Sequence, residues 1–211
     1  TGSLSGNAFG LVGSARLAWL SAPNVYAVNP DGSYNVSSSN TLGMGNNKVA
    51  SNFYNPVPLL DLNKYTSEND RIIANFGTTV KIFKGLQYKM SYAMDRLKVE
   101  NVAFNSPVHG PGNSSNGSAT NSSRLISNWN WTNTLNYQTT IATNHNLSIL
   151  AGYDVQKFET SSWGATRTQP SDPFFDEFQG SCGQISPTAN VMTESALASV
   201  FSRFTYDFGK K

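Results

Sequence analysis

The sequence predicts an all-β chain: an antiparallel transmembrane β-barrel, represented by about five strands. Three observations predict it. Apolar and polar side chains alternate in five segments, and a period of two means an extended strand with two unlike faces. The apolar parity carries many large aromatics. The turns at one side of the strands are very short, whereas the connections at the other side are long and polar, which is how outer-membrane barrels are built.

Composition supports this class. Charged residues make up 13% of the 211-residue chain, about half the roughly 25% usual in soluble domains. Aromatics reach 12%, yet mean hydropathy is −0.35. Asn, Ser and Thr make up the difference. A strand that hides its apolar residues at alternate positions gives such an average. A transmembrane helix needs an apolar run of about 18 residues or more, and the sequence contains none. The net charge of +2 and the absence of a Lys/Arg cluster exclude a nucleic-acid partner on charge grounds. Cys182 stands alone, so it has no intrachain disulfide partner; its Gly/Ser-rich surroundings predict a free thiol in a loop. The first residues show neither a basic nor an apolar signal region.

Residues 1–70 read as mainly an extracellular loop and residues 71–211 as strand hairpins. Phe9 to Leu20 predicts a short helix, stopped by Pro23. Asn29-Pro30-Asp31-Gly32 is a turn signal. Residues 37–55 read as loop, and Pro56 and Pro58 rule out a central strand. The first strand covers about 71–83, with Ile72, Ala74, Phe76, Thr78, Val80 and Ile82 on its apolar parity. Lys84-Gly85 is a tight turn. The second strand starts at Leu86 and keeps Tyr88, Met90, Tyr92 and Met94 on one face. After Arg96 the parity flips to Leu97 and Val99, which predicts a bulge or emergence from the membrane. Residues 105–122 read as a flexible loop. The third strand, about 123–140, sets Leu125, Trp129, Trp131, Leu135 and Tyr137 against Arg124, Asn128, Asn130, Asn136 and Gln138. Thr143-Asn144-His145-Asn146 is the next turn. The fourth strand follows with Leu147, Ile149, Ala151, Tyr153 and Val155. Residues 167–194 read as a second long loop. The fifth strand, about 195–208, opposes Ala198, Val200, Phe204, Tyr206 and Phe208 to Ser199, Arg203, Thr205 and Asp207.

Nothing in the spacing points to an enzyme. His109 lies in a Gly/Pro loop and His145 in a turn, with no Cys/His/Asp pattern around either that would hold a metal. Asp172, Asp176 and Glu177 lack an EF-hand pattern. Gly43-Met44-Gly45 lacks the strand-to-helix context of a nucleotide loop. The expectation is therefore no catalytic residue, no cofactor and no metal. Trp163, Phe174, Phe175 and Phe178 fall in the expected loops and are the candidate substrate-binding residues. They could stack on sugars, dock a partner, or pack the loops together.

Short stretches of the chain resemble a known family. Asn55-Pro56-Val57-Pro58-Leu59-Leu60, then Asn69-Asp70-Arg71 and the strand to Phe83-Lys84-Gly85-Leu86, resemble the barrel of SusC/RagA-type TonB-dependent outer-membrane transporters. Ala22-Pro23-Asn24-Val25-Tyr26 with Asn29 to Tyr34 resembles an early loop of those barrels. His145 to Asp154 and Ala196 to Tyr206 resemble two of their later strands, in the same order. The resemblance implies a 22-stranded barrel closed by a plug, energised through TonB, capped by a SusD-like surface lipoprotein, and importing glycan or peptide oligomers across the outer membrane of a Bacteroidetes-like Gram-negative bacterium. Residues 1–211 would then be part of one barrel domain and an internal part of a larger protein, with the TonB box and plug supplied by segments outside this sequence. Arg71, Lys81, Lys89, Asn128, Asn130, Asn136 and Gln156 would face the interior, and the apolar parity would face outer-membrane lipid. The alternative is a soluble β-sandwich, a carbohydrate-binding or adhesin module, which would bury its apolar faces against a second sheet.

Overall fold

The computed structural model describes residues 16, 18–19, 21–45, 51–172 and 174–209. Most of the helix expected over residues 9–20 lies outside them. Five long strands form one sheet: β1 (Lys64–Phe83), β2 (Leu86–Asn105), β3 (Ser118–Ile141), β4 (His145–Pro170) and β5 (Cys182–Phe208). They are hydrogen-bonded in chain order as an antiparallel meander. In such a meander the connections alternate between the two ends of the strands, so the two short turns share one end. A short helix, α1 (Pro56–Leu62), precedes β1. The chain divides into two compact units. A loop unit comprises Thr1–Glu68, Glu100–Ser123 and Trp163–Asn190; a strand unit comprises Asn69–Val99, Arg124–Ser162 and Val191–Lys211.

Within the strand unit, the first turn needs its glycine. Gly85 has φ +90°, and a Cβ there would lie 2.3 Å from the Gln138 carbonyl oxygen. The Gly85 carbonyl accepts from the Gln138 N–H at 2.7 Å. The second turn is residues 142–144, earlier than expected. Ala142 and Thr143 have φ of 52° and 61°, a left-handed pair that suits the twist of a hairpin. His145 belongs to β4 rather than to the turn. Its Nδ1 lies 2.6 Å from the Tyr206 hydroxyl and its ring centroid 4.9 Å from that of Phe208, so cross-strand packing reaches the first residue after the turn.

The apolar parity of the central strands is uncovered. Leu135 and Ile149, on β3 and β4, are 41% and 40% exposed, and the described residues form no second sheet. The sandwich alternative required both to be buried, and this overturns it. The edge strands β1 and β5 expose both faces, so they do not discriminate. Tyr88 and Met90, which the alternation also places outward, are only half-exposed. For Tyr88 the reason is a hydrogen bond: its hydroxyl donates to Asn133 Oδ1 at 2.6 Å. Asn133 is a polar residue on the apolar parity, and Tyr88 satisfies its carbonyl. Tyr88→Phe is therefore expected to cost about 1–2 kcal/mol in a membrane-folding titration, because an amide oxygen left unpaired against lipid has no water to turn to. No loss, or a gain, would exclude this pairing as a stabilising one.

The apolar rows end at charge. On β2, Leu86 to Met94 gives way to Arg96 and Lys98; on β4, Leu147 to Val155 gives way to Lys157 and Glu159. On β5, Ala198 is followed, away from the turn, by Glu194, which pairs with Lys157 at 3.0 Å while Glu159 lies 3.5 Å from the same amine. Aromatics bracket the band. His145, Tyr206 and Phe208 stand at the turn end, and Tyr92 stacks on Trp129 at the other margin, centroids 6.2 Å apart. Apolar rows of about 9–11 residues between aromatic girdles are what a tilted membrane-crossing strand requires.

The strands extend well beyond the expected limits. β3 to β5 contain 24, 26 and 27 residues. The loop expected over 167–194 shrinks to 171–181, and Trp163 and Cys182 lie in strands instead of loops. Cys182 is a free thiol. Ser- and Thr-rich chain sustains the extra pairing; Thr120 and Thr166 hydroxyls meet at 2.7 Å. Pro187 falls in β5, an edge strand of this sheet, where a missing N–H is tolerated.

Candidate functional site

The loop unit is built on buried polar residues. The turn at Asn29-Pro30-Asp31-Gly32 forms as the sequence requires: the Gly32 N–H donates to the Asn29 carbonyl at 2.9 Å, and Gly32 has φ 85°. Asp31 accepts from the Ser33 hydroxyl at 2.7 Å and the Ser33 N–H at 3.0 Å, and these bonds hold its carboxyl below the usual range. Bridges Val28 to Tyr34 and Val36 to Leu42 make two small hairpins. Both are tied to Asn55, which is fully buried. Its Nδ2 donates to the Ala27 carbonyl at 2.6 Å and the Asn35 carbonyl at 3.2 Å, and its Oδ1 accepts from the Val57 N–H at 3.0 Å. That last bond caps α1, with Pro56 at the first helical position, the arrangement that best suits both residues.

His109 holds the other side of Asn55. Its ring is 1% exposed, and Nε2 accepts from the Asn55 N–H at 2.8 Å. Tyr54 meets it edge-on at 5.4 Å. An acceptor Nε2 requires the neutral ring protonated at Nδ1, and Nδ1 has no partner among the described residues. Burial lowers the pKa of His109 below its ordinary value. This histidine therefore organises structure.

The connection 171–181 carries three of the four candidate aromatics, Phe174, Phe175 and Phe178. Arg167, on β4 and 1% exposed, donates to the carbonyls of Phe175 and Gln179. The Ser171 N–H donates to the Ser181 carbonyl at 2.9 Å, closing the base. Lys64 lies 3.2 Å from Asp176 and 3.4 Å from Glu177, and those carboxylates raise its pKa. Asp172 accepts from the Phe174 N–H at 2.8 Å. The loop is thus clamped, and it presents Phe174 at 84% exposure. Phe175 packs edge-on against Phe174 at 5.9 Å. Phe178 is less exposed, and Trp163 is exposed on β4 itself. The structure brings Phe174 and Phe175 together; neither Phe178 nor Trp163 shares a ring contact with them among the described residues. Arg167 lies in a stretch whose composition predicts a loop, and the structure places it in β4. A buried arginine in a polar strand end has no periodicity signal.

In the strand unit, the polar parity forms connected pairs. Arg71 donates to both oxygens of Asp95, at 2.9 and 2.6 Å, a fork geometry suited to carboxylate. Asp154 accepts from the Thr132 hydroxyl and from the Gln156 and Asn130 amides, at 3.1 and 3.5 Å for the last two. Of the residues expected on the inner face, Arg71, Asn130 and Gln156 enter these networks. A cavity of about 320 Å³ lies among Ile73, Asp95, Asn128, Asn130, Gln156 and Phe158.

This architecture has counterparts among solved structures. The RagAB peptide transporter matches 86% of this chain with a TM-score of 0.66 and 21% identity, over 20% of its own chain. The five strands have the fold of an outer-membrane barrel wall. The RagAB peptide importer in its closed-closed state gives a TM-score of 0.64 at 19% identity over the same shares; its open-open state gives 0.61 over 75% of this chain. In sequence, the chain is 25% identical over 196 residues to TonB-dependent receptor P3 of Formosa agariphila, covering 92% of this chain and 18% of that protein. No protein-family model matches the chain. The resemblance to SusC/RagA-type TonB-dependent transporters therefore extends over nearly the whole chain, which spans about a fifth of the length of these relatives.

Proposed function

We propose that this chain forms part of the wall and the outer loops of a TonB-dependent importer in the outer membrane of a Gram-negative, Bacteroidetes-like bacterium. The observation that carries the reading is the uncovered apolar band between aromatic girdles, in a meander with short turns at one end of its strands. Residues 1–211 belong to one barrel domain in this reading. The polar parity, with Arg71–Asp95 and the Asp154 network, faces the interior. The cargo is an oligomeric nutrient, a peptide or glycan fragment, and no catalytic role is assigned. The similarity to the RagAB peptide transporter favours a peptide.

The clamped loop 171–181 is the proposed contact for a SusD-like surface lipoprotein or for cargo. A rigid loop presents an aromatic at little entropic cost, which is what an interface anchor needs. Deleting residues 172–180 would strip Arg167 of both carbonyls and leave a buried charge, so point substitution is the cleaner test. Phe174→Ser with Phe178→Ser, in the full-length transporter, is expected to leave insertion intact and to weaken lipoprotein association or uptake about tenfold or more. Unchanged uptake together with an unchanged complex would remove the role and leave these rings as local packing.

A further inference from the structure

The segments around His109 share an unusual property. The connection 106–117 contains no charged residue besides this histidine, and residues 35–45 contain none at all. Residues 51–62 contain one, Asp61, which accepts from the Tyr34 hydroxyl at 3.3 Å. Asp31, in the first hairpin, is occupied by Ser33. Tyr54 is the titratable group against the ring. Among the described residues, no carboxylate hydrogen-bonds to His109, whose sole bond is the one it accepts from Asn55. A protonated ring would lose that acceptor, place a donor against an N–H, and carry a cation in a buried site where no carboxylate among the described residues hydrogen-bonds to it. The bond in question sits at the junction of three elements. Asn55 caps α1 and holds both hairpins, and the neighbouring Gly110 exchanges two hydrogen bonds of 2.9 Å with the Asn40 side chain.

We propose that His109 is an acid-sensitive latch on the loop unit: protonation of its ring releases Asn55, and with it the start of α1 and the hairpins over residues 27–43. The sign follows from linkage. In the open loop the solvated ring takes up its proton as pH falls through about 6.5, whereas the closed site resists protonation. The closed form is fully favoured above that pH and loses ground below it. Opening rises about tenfold per pH unit until the ring titrates in the closed loop as well. The latch stands on the geometry of residues 27–45, 51–62 and 106–113 alone, and holds whatever the cargo proves to be.

The test is amide hydrogen exchange on the full-length protein in membranes, between pH of about 8 and about 4.5, with protection factors corrected for intrinsic rates. Amides of residues 51–62 and 27–43 are expected to lose protection below pH of about 6.5, while those of the strand unit keep theirs. His109→Gln supplies an acceptor that does not titrate and is expected to flatten the profile. A flat wild-type profile overturns the latch without any variant, and so does a His109→Gln protein that still opens with acid. An altered fold in that variant would leave the wild-type titration as the deciding measurement.

Discussion

Arginine at position 135 is expected to destabilise the fold in a bilayer by about 2–4 kcal/mol, the range for a cation placed near the midplane on the lipid side of a barrel. Leu135 lies in the middle of the β3 apolar row, in a central strand, and is 41% exposed with nothing covering it. The control is one residue away. Thr134 points to the opposite face, and Thr134→Arg is expected to change stability by less than about 1 kcal/mol, since an interior cation meets water. Denaturant titration of both variants in lipid vesicles gives the comparison. Equal costs at the two positions would contradict the assignment of the two faces.

The second large effect lies between β4 and β5. Gly152 is buried in a strand of mostly half-exposed residues. A Cβ built there would lie 2.2 Å from the ring tip of Phe201, and the nearby ring carbons are also under 3 Å. The aromatic covers the glycine backbone on the polar parity, a pairing known to restore strand stability where glycine weakens it. Alanine for glycine inside a strand ordinarily gains roughly 0.5–1 kcal/mol. Here Gly152→Ala is expected to lose about 1–3 kcal/mol, because the ring must leave its place. Phe201→Ala in the same chain should recover most of that loss, giving a coupling energy above about 0.5 kcal/mol in a double-mutant cycle. Additive effects would mean that the ring does not rest on the glycine in the membrane.

The strands were legible wherever their two faces differ in solvent. From Ile72 to Ile82 and from Leu147 to Val155, one face is apolar and the other polar, and the side chains alternate with a period of two. That signal stops at the charged margin of the band. Beyond it β4 and β5 continue through Thr166, Arg167, Ile185 and Pro187, where both faces are polar or edge-exposed and alternation carries no information. Density of Pro, Gly and Ser then reads as loop. The helix α1 shows the opposite error. Asn55-Pro56 is a helix-start signal, but two prolines so close together speak against a strand without by themselves marking a helix. Of the candidate aromatics, Phe174 and Phe175 are legible as aromatics in a Pro/Gly/Ser-rich connection. What holds them, Arg167, depends on partners close in space and visible only once the chain is folded. His109 was legible as an isolated histidine without metal-ligand spacing; its bond to Asn55 spans 54 residues and leaves no local trace.

The apolar rows also set a length. About 9–11 residues rise roughly 3.3 Å each, and a tilt of roughly 40° projects them onto about 25 Å along the membrane normal. That is several ångströms short of an average hydrocarbon core and matches the thinner outer membrane. Mismatch of this kind costs only fractions of a kcal/mol per ångström, but the charged margin at Arg96, Lys157 and Glu194 makes it one-sided, because a thicker bilayer would have to swallow those charges or pinch around them. The chain therefore carries its own preference for bilayer thickness: short-chain lipids should accept it readily, and long-chain lipids should slow its insertion.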